Sequence, residues 1–180
     1  MTIPYTRETW VDDTTLATAS RLNNIEVGIV DAHKMPAVRV YHNANQSITN
    51  TTNTALAFNS ERFDQAGGSA STQHDVSTNN SRLTCRHAGV YHIIGGCHFA
   101  ANATGQRTLF LRLNGATAIA YAPRGFGLSS LDSTSLLVAT HYDLAVNDYI
   151  EMVVYQDSGG ALNVLNGANY SPEFSMTRVG

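Results

Sequence analysis

The sequence predicts a mainly β protein, a jelly-roll β-sandwich, with one short α-helix near its N-terminus. After Pro36, short segments of alternating apolar and polar residues follow one another, and each ends at Gly, Asn, Asp or Pro. Asn114-Gly115 separates two of these segments, and the pair favours a tight hairpin turn because both residues tolerate positive φ. Before Pro36 the apolar residues instead recur with helical spacing. Many short strands of this kind are typical of a sandwich or jelly roll.

Composition restricts the class of function. The chain has 180 residues, which suits one compact domain plus an appendage, and its net charge of −3 argues against nucleic-acid binding. No apolar run approaches the roughly 20 residues of a membrane-spanning helix. The opening "MTIPYTRETW" lacks the basic start and apolar stretch of a signal peptide. We therefore expect no membrane insertion, no nucleic-acid partner and no export signal.

The helix is predicted to run from about Thr14 to Ala32. Asp12 and Asp13 place negative charge at its positive end, and Pro36 prevents its continuation. An isolated helix of this length is only marginally stable in water, so its apolar side needs a partner.

A heptad repeat identifies that apolar side. Leu22, Ile25 and Ile29 fall on one seam, while Arg21 and Glu26 take the flanking positions that pair between chains of a parallel coiled coil. We predict that these five residues contact the other chains of a stalk. The alternative, that the helix folds back onto its own β-domain, remains open.

The segment "YIEMVVYQ", residues 149 to 156, is apolar on both faces. A strand of this kind is either central in a large domain or covered by a neighbouring subunit. Because a small sandwich has one inner face per sheet, we favour a subunit contact. The predicted contact residues are Tyr149, Val153 and Tyr155.

Cys85 and Cys97 are predicted to be buried free thiols. A tight turn near His87 to Gly89 would place Cys85 opposite Tyr91 and not opposite Cys97. Two cysteines in this arrangement do not form a disulfide framework.

No catalytic motif is present. The sequence contains neither a Gly-x-Ser-x-Gly nucleophile motif nor a phosphate-binding loop. Glu61 and Asp64 form a carboxylate pair, but glycoside hydrolysis needs a defined separation across a cleft, which sequence spacing does not establish. We expect no enzymatic activity, no catalytic residue and no cofactor.

Seven histidines raise the question of a metal. His92 and His98 share a strand face, but six residues at about 3.3 Å each separate them by about 20 Å, too far to bind one ion together. A ring of one histidine from each of three chains remains conceivable, and structural or surface roles are the other explanation. No loop has the acidic spacing of calcium ligands, so no metal site is expected.

The segment "YAPRGFGLSSLD" is the candidate partner-binding loop, because loops on a β scaffold commonly carry recognition. Tyr121, Arg124 and Phe126 are its candidate binding residues, since exposed aromatic rings can stack on sugars. The alternative is that the aromatic residues pack at a subunit interface.

Several stretches resemble a known family. Arg82-Leu83-Thr84-Cys85 followed by Ala88-Gly89-Val90-Tyr91, the hairpin "LRLNGA" and the segment "DLAVNDYIEMVVYQ" resemble the globular head of the first component of complement. The closing "FSMTRVG" stands where that family ends on a strand led by Phe. Asn147-Asp148 replaces the family's usual Gly-Asp. This resemblance implies a trimeric jelly roll of the tumour-necrosis-factor-like kind.

Two further stretches narrow the resemblance. "ALAFNSERFDQAGG" and "CHFAANATGQRTLFLRLNG" resemble the version of this domain carried by tailed bacteriophages, and "WVDDTTLATASRLNNIEVGI" resembles a short N-terminal module of phage fibre and tail proteins. The resemblance implies that residues 1–35 attach to the virion and trimerise, and that residues 36–180 form the head.

The implied function is that of a homotrimeric structural protein on the virion surface, made in the host cytoplasm. It would serve as a short fibre, spike or decoration protein. Its expected partners are two copies of itself, another virion protein bound through the N-terminus, and a host-surface glycan or protein. A decoration protein without a receptor and a secreted carbohydrate-binding module remain alternatives.

Overall fold

A computed structural model of the protein describes residues 18–33, 35–67, 71–122, 125–126 and 133–179. The described residues form one helix followed by strands arranged in two sheets. Their bounds are α1 Ala19–His33, β1 Ala37–Tyr41, β2 Gln46–Ile48, β3 Thr54–Ala55, β4 Ser60–Gln65, β5 Arg82–Thr84, β6 Gly89–Phe99, β7 Gln106–Leu113, β8 Thr117–Tyr121, β9 Gly125–Phe126, β10 Thr134–Leu144, β11 Tyr149–Gln156, β12 Leu162–Val164 and β13 Glu173–Arg178.

The first sheet, sheet A, is built around β6. Its strand order is β2-β12-β6-β13-β1-β4, and β10 also pairs with β6. The β6–β10 register extends from Gly89 opposite Leu144 to Phe99 opposite Thr134, so the two strands pair antiparallel over their whole length. This long pairing fixes which side chains of β6 and β10 stand side by side on each face.

The second sheet, sheet B, is built around β11. Its order is β3-β11-β7-β8, with β5 also paired to β11 and β9 to β7. β11 therefore lies in the interior of its sheet, with β7 along one edge and β3 and β5 along the other.

The core fills the space between the two sheets with alternate residues of each strand. On β6 the inward residues include Tyr91, Ile93 and Phe99, and on β11 they include Ile150 and Met152, all fully buried. The two antiparallel sheets and the single described helix confirm the predicted mainly β, jelly-roll sandwich.

The predicted hairpin is also present. Asn114 and Gly115 have φ values of 50° and 71°, and the Ala116 N–H donates to the Leu113 carbonyl at 3.0 Å. Both central residues thus adopt the positive φ of a type I′ turn, which joins β7 to β8.

The described helix begins at Ala19, not near Thr14. Thr18 is its N-cap, because the Thr18 Oγ1 accepts a hydrogen bond from the Arg21 N–H at 3.3 Å. Thr14, Asp12 and Asp13 lie outside the described residues. Among the residues that the structure describes, no helix has the length and apolar character needed to cross a bilayer.

Candidate self-association and binding surfaces

The helix keeps its predicted apolar seam largely exposed. Leu22 is 50% exposed and Ile29 is 54% exposed, while Ile25 is half-buried. The hydrophobic core contains none of the helix residues whose side chains are described, and no described strand packs extensively against the helix. Val27 lies outside the seam and is also 47% exposed. The heptad pattern did not predict this exposed apolar residue.

The flanking charges lie where a helix of this kind would present them. Arg21 is half-buried and Glu26 is exposed. The single chain does not test whether these residues pair between chains, so their contact role remains a prediction.

The apolar outer side of β11 is covered by the chain itself. Val153 is fully buried and stands opposite Ala55 and Phe110 on the neighbouring strands. Tyr149 is half-buried, and the guanidinium of Arg82 lies over its ring at 4.0 Å. The central position of β11 therefore accounts for its two apolar faces without a second chain. The predicted subunit contacts of Tyr149, Val153 and the half-buried Tyr155 stay a prediction.

Only part of the candidate binding loop is described. Tyr121 is 61% exposed and stacks on Phe110, with ring centroids 4.9 Å apart and planes within 10°. The stack fixes the orientation of an exposed, flat aromatic ring at the end of β8. Arg124 lies outside the described residues, and so does the side chain of Phe126.

The outward side of sheet A carries a second apolar surface, which sequence reasoning missed. Ile94 on β6 stands opposite Ala139 on β10, and Gly96 stands opposite Leu137, which is 64% exposed. Tyr170, 67% exposed, lies at one side of this surface. We call it the sheet A patch. The segment "SLLVA" contained the signal, because it is apolar on both faces, as β11 is.

A depression of about 370 Å³ lies beside the sheet A patch. The carboxylate of Glu173 lies at its edge and is held by Arg39 at 2.8 Å and by Arg62 at 2.9 Å. The lining residues are Arg39, Ile94, Gly96, Leu137, Asn169, Tyr170, Glu173, Phe174 and Ser175. The depression therefore combines an apolar floor with a charged edge.

A polar groove of about 330 Å³ lies at the other sheet, beside β5. Its lining residues are Gln73, His74, Asp75, Thr78, Asn79, Arg82, Thr84, Arg86 and Tyr149. Hydrogen bonds from the backbone N–H groups of Thr78 and Ser77, and from the Ser77 hydroxyl, lower the pKa of Asp75 to about 2. The groove thus holds a fixed negative charge opposite two arginines.

One carboxylate, that of Glu151, pairs with an arginine of this groove, Arg82, and with Arg112 outside it. Glu151 is 5% exposed and accepts from Arg112 at 2.9 Å and from Arg82 at 3.4 Å. Because two guanidiniums share one carboxylate, the cluster of Arg82, Arg112 and Glu151 carries a net positive charge.

The cysteines are as predicted. Cys85 and Cys97 are both free and buried. The Cys85 thiol donates to the His87 carbonyl at 3.1 Å. Burial raises the pKa of Cys85, and it raises the pKa of Cys97 to about 12.

The buried His74 and the carboxylate of Glu61 form a histidine–carboxylate pair of the kind found at many active sites. Both ring nitrogens of His74 already lie within hydrogen-bond distance of an oxygen. His74 Nδ1 lies 2.9 Å from the Glu61 carboxylate and its Nε2 lies 3.2 Å from the Asn80 carbonyl. No ring nitrogen is left to activate a nucleophile, so this pair serves a structural role.

The described residues contain no group of three or more His, Cys, Asp or Glu side chains that could hold a metal ion. His92 and His98, the two histidines compared in the sequence analysis, contact different residues. His98 Nδ1 lies 2.6 Å from the Ser135 hydroxyl, whereas His92 stacks on His141 of the neighbouring strand.

The fold is similar to that of several solved structures. Murine APRIL superposes with a TM-score of 0.58 at 9% identity, covering 81% of this chain and 100% of that one. Eiger TNF from S. frugiperda gives 0.61 at 11% identity, covering 82% and 94%. The globular domain of zebrafish complement 1qA gives 0.54 at 16% identity, covering 81% and 98%. No protein-family model and no curated protein matches the chain. At these identities the similarity establishes the jelly-roll fold.

Proposed function

We propose that the protein is a homotrimeric surface component of a tailed-bacteriophage virion, a short fibre, spike or decoration protein. Residues 1–35 would attach to the particle and trimerise, and residues 36–180 would form the head. The phage assignment rests on the sequence resemblance of the N-terminal module and of the head segments. The fold of the head, similar to tumour necrosis factor and complement domains, supports the jelly-roll head of this proposal.

The exposed apolar surface of the single chain is the observation that carries self-association. Leu137 of the sheet A patch is 64% exposed and Leu22 of the helix is 50% exposed. Exposed apolar patches on soluble proteins mark interfaces, because their burial removes apolar area from water. One patch lies on the head and the other on the helix, so both segments would contribute to the trimer.

Light scattering on the purified protein tests this assembly. We expect a mass about three times the chain mass of 19.4 kDa. Leu137→Asp should weaken the trimer, because a carboxylate would be buried in an apolar contact. Val146→Asp is the matched control, because Val146 is 54% exposed and lies in the turn between β10 and β11, outside the patch. A wild-type monomer at micromolar concentration would contradict the trimer.

Immunogold electron microscopy of the particle tests the location. Antibody against residues 36–180 should label intact virions of the phage that encodes the chain. Labelling at the capsid would indicate decoration, and labelling at the tail would indicate a fibre or spike. Particles without any label would reject the virion assignment.

Host-surface glycan binding is a second role, favoured by the exposed ring of Tyr121. Stacking on Phe110 holds this ring flat, and a held aromatic face suits the apolar side of a sugar ring. Glycan-array binding should be lost in Tyr121→Ala and kept in Tyr121→Phe, which retains the ring. Glycan binding by a monomer would favour the secreted carbohydrate-binding module instead.

A further inference from the structure

Two histidines face each other across the outward side of sheet A. His92 on β6 and His141 on β10 are direct partners in the antiparallel register. Their rings stack with centroids 4.8 Å apart and planes within 19°. His141 is exposed and His92 is half-buried, so solvent reaches the pair.

These two side chains differ from the other histidines whose side chains are described. His42, His74, His87 and His98 each place a ring nitrogen within 2.6–3.2 Å of a described backbone or side-chain oxygen. The rings of His92 and His141 make no hydrogen bond to any other described residue, and their described contact is with each other. Up to four imidazole nitrogens within one small area therefore have no hydrogen-bond partner among the described residues.

Imidazole nitrogen is a preferred ligand of Zn²⁺, Ni²⁺ and Cu²⁺. With metal–nitrogen bonds of about 2.0–2.1 Å, two nitrogens on one tetrahedral ion lie about 3.3 Å apart. Side chains that are direct cross-strand partners start from Cβ atoms about 5 Å apart. Since the ring centroids are 4.8 Å apart in the stack, a shared ion would require the two side chains to rotate until one nitrogen of each ring reaches that separation.

The surroundings favour a cation. Asp143 lies on the same face, two residues beyond His141 along β10, and stands opposite Val90. On the other side of His92 stands Thr177 of β13. The exposed carboxylate of Asp143 adds negative potential beside the pair, and no lysine or arginine is the register partner of either histidine.

We propose that His92 and His141 form a cross-strand site for one late first-row transition-metal ion per chain, with water completing the coordination. The ion would connect β6 to β10, the longest strand pair of sheet A. The site lies within one chain and does not depend on trimerisation or on a phage origin. It differs from the expectation of no metal site, in which His92 was compared with His98 on its own strand.

Calorimetric titration of the untagged full chain with Ni²⁺, with Zn²⁺ and with Mg²⁺ tests the site. We expect one Ni²⁺ or Zn²⁺ per chain and no heat with Mg²⁺, which prefers oxygen ligands. His92→Gln and His141→Gln should each lose the binding. His98→Gln is the matched control, because His98 lies on the same face but is bonded to Ser135, and it should bind like the wild type.

Two further readouts separate metal binding from a structural effect of the substitutions. Ni²⁺ should raise the Tm of the wild type and leave that of the His92→Gln/His141→Gln double variant unchanged, whatever the Tm without metal. The electron paramagnetic resonance spectrum of bound Cu²⁺ should show coupling to two imidazole nitrogens. The proposal fails if the wild type does not bind millimolar Ni²⁺ or Zn²⁺, or if the double variant still binds. Fewer than one ion per chain would place the ion between copies and overturn the intrachain site.

Discussion

Arg107 is a fully buried cation whose guanidinium holds a loop at one end of the sandwich. It donates to the carbonyls of Thr104 and Asn102, in the connection between β6 and β7. Burial lowers its pKa, and the nearby Asp157 opposes that shift. The side chain stays charged because arginine titrates far above neutral pH, so its two hydrogen bonds are charge-assisted.

Replacing this guanidinium should destabilise the head. In Arg107→Met the two carbonyls lose charged donors, and we expect the free energy of unfolding to fall by about 2 kcal/mol. Urea unfolding followed by circular dichroism measures this. Arg39→Met is the control, because Arg39 is an exposed member of an ion pair and its loss should cost less than about 1 kcal/mol. If both variants lost the same free energy of unfolding, the buried hydrogen bonds of Arg107 would contribute no more to stability than an exposed ion pair.

The burial of Cys85 and Cys97 predicts how fast their thiols react with an alkylating reagent and how that rate depends on pH. The thiolate is the reactive form, and burial raises the pKa of both cysteines, that of Cys97 to about 12. At pH 8 the folded protein should therefore react with iodoacetamide much more slowly than the urea-unfolded protein. Raising the pH toward 10 should increase the rate, most for Cys85. Mass spectrometry of the labelled chain measures both rates, and a mass two hydrogens low that reductant restores would disprove free thiols.

At the level of elements, β6 carries two adjacent glycines that face opposite sides of sheet A. A Cβ at Gly95 would collide with the Met152 side chain and touch the ring of Phe174, inside the core. A Cβ at Gly96 would meet the tip of Leu137, 3.3 Å away on the outward face. The strand thus requires a missing side chain at Gly95 in order to let the two sheets approach.

Alanine substitutions at Gly95 and Gly96 compare how much an added methyl group costs on the core face and on the outward face of sheet A. Gly95→Ala should lower the free energy of unfolding by about 1–3 kcal/mol, because overpacking displaces buried neighbours. Gly96→Ala should change it by less than about 0.5 kcal/mol, because an exposed side chain can move aside. Thermal and urea unfolding of both variants measure the difference. A larger loss in Gly96→Ala would reverse the assigned faces.

The local sequence pattern was sufficient to predict the strands and the hairpin. It was insufficient to predict which strands pair with each other in the sheets. The positive-φ pair Asn114-Gly115 and the Gly, Asn, Asp or Pro residues that end the short segments are properties of neighbouring residues, so they could be predicted. The burial of Val153 depends on β11 lying inside sheet B, which local pattern does not reveal. The pairing of His92 with His141 depends on the β6–β10 register, between segments far apart in sequence. The helix starts after its N-cap, Thr18. Sequence reasoning placed the start earlier, because Asp12 and Asp13 also suit the N-terminal end of a helix.

For the whole molecule, the remaining question is whether the helix belongs to the head or extends from it. Among the described residues, the hydrophobic core consists of strand and loop residues, from Val38 to Met176, and includes none of the helix. A chain that begins at Pro36 therefore keeps every described residue of the core. We expect it to fold with an unchanged β-sheet circular dichroism spectrum and to remain trimeric through the sheet A patch.

What that shortened chain should lose is incorporation into the virion, because residues 1–35 are the proposed attachment. Ile25→Asp in the full chain tests the stalk separately. It would place three carboxylates at one level of a narrow apolar seam, where desolvation and mutual repulsion oppose helix association. Val27→Asp is the matched control, because Val27 is exposed and lies outside the seam. Particle incorporation, measured beside circular dichroism, separates the possibilities. Loss of the β signal on deletion would place the helix in the head's fold, and normal incorporation without residues 1–35 would place the attachment in the head.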